Sequence, residues 1–279
     1  MTMLTVEILC IGNELLSGIT INTNAQWISQ KIAETGGSVN RITVVGDDID
    51  EISSAVKECL SRKPSWLIIS GGLGPTYDDK TLEGVSVGLW VRLALNSTAV
   101  EMLKKSYARR SIKYELNEIR LKMAKIPIGS IPIQNPVGSA PSVIIDAADK
   151  VTKVVCLPGV PKELKAIFSE SVLPQIKKIA GDFYITESIH EVIGVGEAML
   201  APILSNVVES YPQELIYLKT HPQGYTKENE PRMNLQIVSK GKDKSEVEIR
   251  YDAISSKLFD EIKRLGGKIY KAPLDNDIS

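Results

Sequence analysis

The chain opens with an alternation of short apolar runs and amphipathic stretches. Residues 4–11 are apolar and rich in β-branched side chains, and the run ends at Gly12, which predicts a buried strand. Ala25, Ile28, Ile32 and Ala33 fall on one face of a helix over 24–33, and Gly36-Gly37 stops it. A strand over 39–45, a helix over 48–60 and a strand over 66–69 follow in the same manner. Strands apolar on both faces, alternating with amphipathic helices, imply a mainly parallel sheet covered on both sides. Ligands of such sheets bind beyond the carboxyl ends of the strands. Gly12-Asn13-Glu14 and Ser70-Gly71-Gly72-Leu73-Gly74 are therefore expected on one rim.

The middle of the chain predicts helices over 81–95, 98–110 and 115–125. Pro127, Pro132, Pro136 and Pro141 then mark a loop-rich stretch, followed by strands over 143–145 and 151–157. Pro158-Gly159-Val160-Pro161 reads as a turn, with Pro161 placed to open a helix running through Phe168. Near Gly181 the pattern changes to a smaller α+β unit. It comprises a strand over 183–193, a helix over 197–208, strands over 215–220 and 232–238, a helix over 246–265 and a short strand over 268–270. The polar segment 222–231 is expected to be a mobile loop. The expected division is 1–178 and 179–279.

Composition narrows the classes. Lys and Arg number 33 against 34 Asp and Glu, a net charge of −1. A nucleic-acid partner is not expected of such a chain, because binding by counterion release calls for a basic one. No apolar run approaches the roughly 18 residues of a membrane span. Nor does a basic region precede the first apolar stretch, so a cytoplasmic location is expected. With three widely spaced cysteines, Cys10, Cys59 and Cys156, and two histidines, a Cys/His zinc site is not expected. His190 and His221 both read as structural.

The densest chemical signal is Gly71-Gly72-Leu73-Gly74-Pro75-Thr76-Tyr77-Asp78-Asp79-Lys80-Thr81. Glycines after a strand let backbone amides approach a phosphate, and a following helix points its positive end there. Two adjacent carboxylates beside a phosphate repel it unless a divalent cation lies between them, and oxygen ligands suit Mg²⁺ or Mn²⁺. A plainer reading uses the same residues: Thr76 and Asp79 have the spacing of a capping box. Glu14 is a second candidate, as a metal ligand or an acceptor from a ribose hydroxyl. Asn24 is either a site residue or the cap of its helix, and one of Asp47-Asp48 a cap of the next. A third rim candidate is the Gly- and Pro-rich loop 135–141, with Arg120 and Lys122 ahead of it as phosphate partners or solvated charges.

Five separated stretches carry a resemblance. GNELLSGITINTNA at 12–25, VGDDID at 45–50, SGGLGPTYDDKT at 70–81, NPVGSAP at 135–141 and LPGVPKEL at 157–164 together resemble the CinA (competence/damage-inducible protein) family. Its N-terminal domain is similar to the molybdopterin-binding domains of molybdenum cofactor biosynthesis. The resemblance implies a three-layer α/β/α fold with a mostly parallel sheet, and a second, smaller α+β domain of KH-like type. It also implies a nucleotide pyrophosphatase that hydrolyses ADP-ribose to AMP and ribose 5-phosphate with Mg²⁺, Mn²⁺ or Co²⁺, with K⁺ as a further ion.

By the same resemblance Asp78 and Asp79 hold the metal and Glu14 joins them in catalysis. Gly71, Gly72, Gly74, Thr76, Thr81, Asn24, Asn135, Gly138 and Ser139 bind the ligand. Asn13 and Asn22 stand where acids are frequent in the family, and Ser142 where Gly is frequent. The C-terminal deamidase domain of many family members is not expected within these 279 residues, so a separately encoded deamidase is one expected partner; a homodimer is expected because relatives of this fold commonly self-associate. The alternatives are a molybdopterin-type protein that binds a pterin cofactor or transfers an adenylyl group, and a non-catalytic nucleotide-binding subunit.

Overall fold

The structure is a computed structural model that describes residues 4–109 and 115–272. Two compact units divide between Ala180 and Gly181. In chain order the first unit contains β1 (Thr5–Ile11), α1 (Asn13–Leu16), α2 (Thr23–Ala33), β2 (Ser38–Val45), α3 (Ile49–Ser61), β3 (Trp66–Ser70), α4 (Thr81–Gly88), β4 (Leu93–Leu95), α5 (Ser97–Ala108), α6 (Glu118–Leu121), β5 (Lys125–Pro127), β6 (Ile131–Ile133), β7 (Ser142–Asp146), β8 (Lys153–Leu157), α7 (Pro161–Ile167) and α8 (Leu173–Ala180). The second contains β9 (Tyr184–Ile193), α9 (Glu197–Glu209), β10 (Ile216–Tyr225), β11 (Pro231–Gly241), α10 (Lys244–Arg264) and β12 (Lys268–Ala272). Among the described residues no helix is long and apolar enough to cross a membrane.

The first unit is built on a six-stranded sheet ordered β2-β1-β3-β8-β7-β6. Strands β2, β1, β3 and β8 run parallel, and β7 lies antiparallel to both β8 and β6. The alternation of side chains along the strands divides the core in two. Leu9, Leu67, Ile69 and Cys156 pack with residues of α3, α4 and α5 on one face. Ile8, Cys10, Ile68 and Leu157 pack with α2, α7 and the turn around Phe168 on the other. This is the three-layer α/β fold that the strand–helix alternation predicts. All three cysteines are buried and free.

One strand breaks the apolar rule. Glu7 in β1 is buried, and Arg62, just past α3, grips it through Nε to Oε1 and a terminal nitrogen to Oε2, both at 2.7 Å. Such a two-pronged pair fixes the end of α3 against the sheet.

The arm between α4 and β6 departs from the sequence reading. The helix predicted over 81–95 stops at Gly88, and Trp90 takes a left-handed φ of 58° that turns the chain back. Residues 93–95 then pair antiparallel with 125–127. Helix α4 is drawn close onto α3 instead: Cβ atoms added at Gly84 and Gly88 would lie 2.6 Å from Ile52 and 2.8 Å from Val56. The predicted helix over 115–125 shrinks to α6 and a single tight turn at 122–124, because Met123 and Ala124 turn into the core. The helix predicted over 98–110 is α5, shifted by one residue at its start; Arg110 lies outside the described residues. Residues 131–133, read as loop, form β6.

The second unit is a four-stranded antiparallel sheet, β10-β11-β9-β12, packed with α9 and α10 through Val192, Leu200, Leu235, Ile254 and Leu258. The segment 222–231 is not all loop: β10 continues to Tyr225, and Pro222 pairs with Met233. His190 is held inside by its bond to Ser188, and burial pushes its ring below the usual pKa, the charge of Lys271 adding to the effect.

Burial raises the Glu7 carboxyl pKa, but the hydrogen bonds and charge of Arg62 outweigh it, and the net direction is down from 4.5. A depressed carboxyl contributes stability above its unfolded value and loses it as pH falls through the folded one. Urea stability is expected to fall on acidification below about pH 4.5, and Glu7→Gln is expected to show a shallower fall across the same window; equal slopes would remove the pair from the account.

Candidate functional site at the sheet rim

The rim is assembled at the ends of β1, β3 and β8. Gly71 follows β3 with a φ of +109°, and a Cβ there would lie 2.1 Å from the Ile11 carbonyl oxygen. Its N–H donates to the Leu157 carbonyl at 3.0 Å, so the ends of three strands meet at one glycine. Gly72 follows at a φ of +60°, and a Cβ there would lie 2.4 Å from Thr81 Oγ1. Thr81 is buried, and its hydroxyl donates to the Gly71 carbonyl at 2.8 Å while its N–H donates to the Gly72 carbonyl at 3.3 Å. Its role is to brace the turn from behind.

Thr76 and Asp79 do not cap the helix. Helix α4 starts at Thr81, with Lys80 before it and no side chain bonded to its first amides. Asp79 Oδ2 instead accepts from the Thr76 N–H at 2.8 Å and from the Thr76 hydroxyl. A Cβ at Gly74 would lie 2.5 Å from the same oxygen. Asp79 is half-buried and Asp78 fully exposed. The nearby Thr76 hydroxyl and its own backbone amide hold the Asp78 carboxyl below the ordinary range, aided by the charges of Lys122 and Lys80.

A cleft with about 330 Å³ of open space adjoins this loop. Gly72, Gly74 and Asp79 contribute to its wall, together with Leu82 and Glu83 of α4. The β4–β5 arm contributes Leu93, Lys122, Met123 and Lys125. Lys122 Nζ donates to the Thr76 carbonyl at 2.7 Å. Arg120, its companion in the sequence reading, bonds the Glu115 carbonyl and stacks over Tyr107 instead. Leu93 and Lys125 went unnoticed in the sequence, because the arm that brings them here was read as helix; Glu83 lies on α4, where a lone carboxylate reads as a solvated helix face.

The other candidates divide. Asn24 donates to the Gly159 carbonyl at 2.8 Å, its Oδ1 is buried without a partner, and Gly159 lies against Gly71. It does not cap its helix; Asn22 does, accepting from Ala25 N–H at 3.1 Å. Asp48 caps α3, and Asp47 accepts from the Asn13 N–H. Glu14 is exposed, and its carboxylate folds back over Gly12. Among the described residues no three His, Cys, Asp or Glu side chains close around one metal position, so Glu14 does not join Asp78 and Asp79 in a cluster.

Asn135 is wholly buried, and its side chain is spent on its own loop. It donates to the Ala140 carbonyl and to Glu163 Oε2, and it accepts from the N–H groups of Val137 and Gly138. Gly138 lies directly under the Glu163 carboxylate, and Ser139 is half-buried beside it. Arg109 ties the loop from behind by donating to the carbonyls of Asn135 and Pro136. Asn135 and Gly138 thus stiffen their own loop, and neither lines the cleft.

The family described as a probable molybdopterin binding domain matches residues 7–178. A protein of Saccharolobus solfataricus is 39% identical over 263 residues, which cover 94% of this chain and 93% of that protein. One of Metallosphaera sedula is 38% identical over 265 residues, 95% of this chain and 97% of its own length. Among solved structures, the protein CinA of unknown function from Thermoplasma acidophilum is 41% identical, with a TM-score of 0.56 over 62% of this chain and 98% of that one.

The Gly71 contact sets an expectation for stability. Gly71→Ala must both displace the Ile11 carbonyl and hold an L residue at an unfavourable φ, a cost of about 3 kcal/mol. A urea-unfolding midpoint within error of the parent would show that the three strand ends can part without loss.

Proposed function

This chain belongs to the family of probable molybdopterin binding domains, in its CinA-like form, and from that premise we propose that the rim at Gly71–Thr81 binds a phosphorylated ligand of the pterin-cofactor or nucleotide kind. The observation that carries the reading is the strand-end turn itself. Gly72 and Gly74, with Leu73 between them and the buried Thr81 bracing the turn from behind, open onto a cleft that holds Lys122 and Lys125. Backbone amides and the Lys125 ammonium together suit a phosphate. Family membership favours the cofactor-binding form of this reading over hydrolysis.

A specific observation favours a second reading, hydrolysis of a nucleoside diphosphate such as ADP-ribose to AMP and ribose 5-phosphate. The Thr76–Asp79 pair is not consumed as a helix cap, and Asp78 stands exposed beside it. Two carboxylates without a third ligand do not make an all-protein metal cage. They do fit Mg²⁺ or Mn²⁺ bound in the usual way, by one or two carboxylates with substrate phosphates completing the shell. Asp78 and Asp79 would hold such an ion, which when bound neutralises phosphate charge and acidifies a water. In this reading Thr76 orients Asp79, and the backbone at 72–74 fixes the diphosphate.

The test sets the two readings against each other. Protein is offered ADP-ribose with Mg²⁺, Mn²⁺ and Co²⁺ in turn, products are separated, and melting temperatures are recorded with ADP-ribose and with a pterin phosphate. Hydrolysis is expected to give AMP and ribose 5-phosphate and to fall by roughly a hundredfold or more in Asp79→Asn with the melting temperature unchanged. Stabilisation by either ligand without turnover leaves the cofactor- or nucleotide-binding reading. No stabilisation and no turnover would refute both.

A further inference from the structure

The loop that carries both aspartates is joined to the opposite arm of the cleft by one lysine. Lys122 lies in the tight turn at 122–124 between α6 and β5. The next two residues, Met123 and Ala124, are buried in the main core, and the Ala124 carbonyl accepts from Asn96 N–H at 3.0 Å. The backbone under Lys122 is thus anchored. Its ammonium crosses to the Thr76 carbonyl at 2.7 Å. Thr76 in turn donates both its N–H and its hydroxyl to Asp79 Oδ2. One path of bonds therefore runs from the core through Lys122 and Thr76 to the Asp79 carboxylate.

The chemistry of that path is directional. An ammonium has three donors and no acceptor, so Lys122 cannot bond the Thr76 N–H or compete with Asp79 for it. It donates to the Thr76 carbonyl, which also accepts from the Asp79 N–H at 3.3 Å, while the Asp79 carboxylate takes the Thr76 donors. By holding the carbonyl it fixes the 76–77 peptide unit, and through the Thr76 α-carbon it restricts where the adjoining N–H and the hydroxyl that Asp79 receives can swing. Its charge also stands beside two carboxylates, which favours a loop closed onto the cleft over one released to solvent.

We propose that Lys122 is the positioning residue of this site: it latches the loop 75–80 to the β4–β5 arm and, through Thr76, holds Asp79 in its ligand-facing orientation. The proposal deepens the ligand-binding reading above and rests on it only for its second measurement. Lys122 itself is not assigned a contact with substrate. Lys125, on the same arm, has no such bond and serves as the comparison.

The experiment compares Lys122→Met, Lys122→Arg and Lys125→Met with the parent chain. The first measurement is amide hydrogen exchange, which needs no ligand, metal or activity. Loss of a charge-assisted bond is expected to speed exchange in peptides covering 74–81 by roughly tenfold in Lys122→Met, with peptides of β1 and β9 unchanged. Lys122→Arg, which keeps a donor and the charge, is expected to restore most of the protection, and Lys125→Met is expected to leave it intact. Unchanged exchange at 74–81 in Lys122→Met would overturn the latch. Faster exchange throughout the first unit would overturn it too, in favour of a general stabilising role.

The second measurement is affinity for ADP-ribose by calorimetry, and turnover wherever the parent shows it. Lys122→Met is expected to bind roughly tenfold more weakly or, with turnover, to lose kcat with little change in KM. Lys122→Arg is expected to recover most of either loss. Affinity and turnover equal to those of the parent, with exchange accelerated, would overturn the part of the proposal that concerns Asp79. A parent that neither binds nor turns over ADP-ribose would count against the functional reading, and the latch would then stand or fall by exchange alone.

Discussion

Three strand ends share one point of contact. The Gly71 amide bonds the end of β8, and its α-carbon faces the Ile11 carbonyl at the end of β1 so closely that no side chain fits between them. Everything at the rim is placed from there. Gly72 turns the chain over Thr81, Thr81 starts α4, and α4 settles onto α3 through Gly84 and Gly88. The constraint is steric and local, yet it decides where a ligand's charge can come closest to backbone.

The two loops that flank this point are built on different physical terms. The loop at 135–141 satisfies itself: Asn135 makes four bonds within reach of its own turn, and Arg109 and Glu163 close it from outside. A buried amide with all its bonds made has little left for a ligand. The loop at 75–80 keeps its polar atoms near the surface. Asp78 is exposed, Asp79 has one oxygen outside the Thr76 pair, and Lys122 reaches the loop across the cleft. Rigidity on one side and adjustable polar chemistry on the other are what a site for a charged ligand requires.

Burial sorts the remaining polar groups. Glu7 is tolerated inside the sheet because Arg62 meets both of its oxygens, and His190 is tolerated inside the second unit as a neutral ring bonded to Ser188. All three cysteines are buried, and burial pushes the Cys156 thiol up to about 12 and leaves it unreactive at neutral pH. The reactive potential of the first unit is thereby concentrated at the rim.

Periodicity alone determined most of the framework. The runs at 4–11, 66–69 and 153–157 form largely buried strands, the run at 39–45 forms an edge strand with no fully buried side chain, and Pro161 opens its helix as read, because these signals lie within a few residues of one another. The glycine-rich turn and its place on the rim were equally legible, since a run of glycines after a buried strand leaves few other conformations.

What the sequence left open was decided at a distance. Whether Thr76 and Asp79 cap a helix or bond each other depends on where α4 begins, which the Gly72–Thr81 contact settles. Whether Asn24 or Asn22 caps α2 depends on Gly159, more than a hundred residues away, drawing the Asn24 amide to itself. The cleft needs residues 93–95 and 125–127 to pair, and a helical hydrophobic pattern over both stretches hid that pairing. Short strands in an arm carry too few residues to declare a period of two, so only the packed core could tell them from helix.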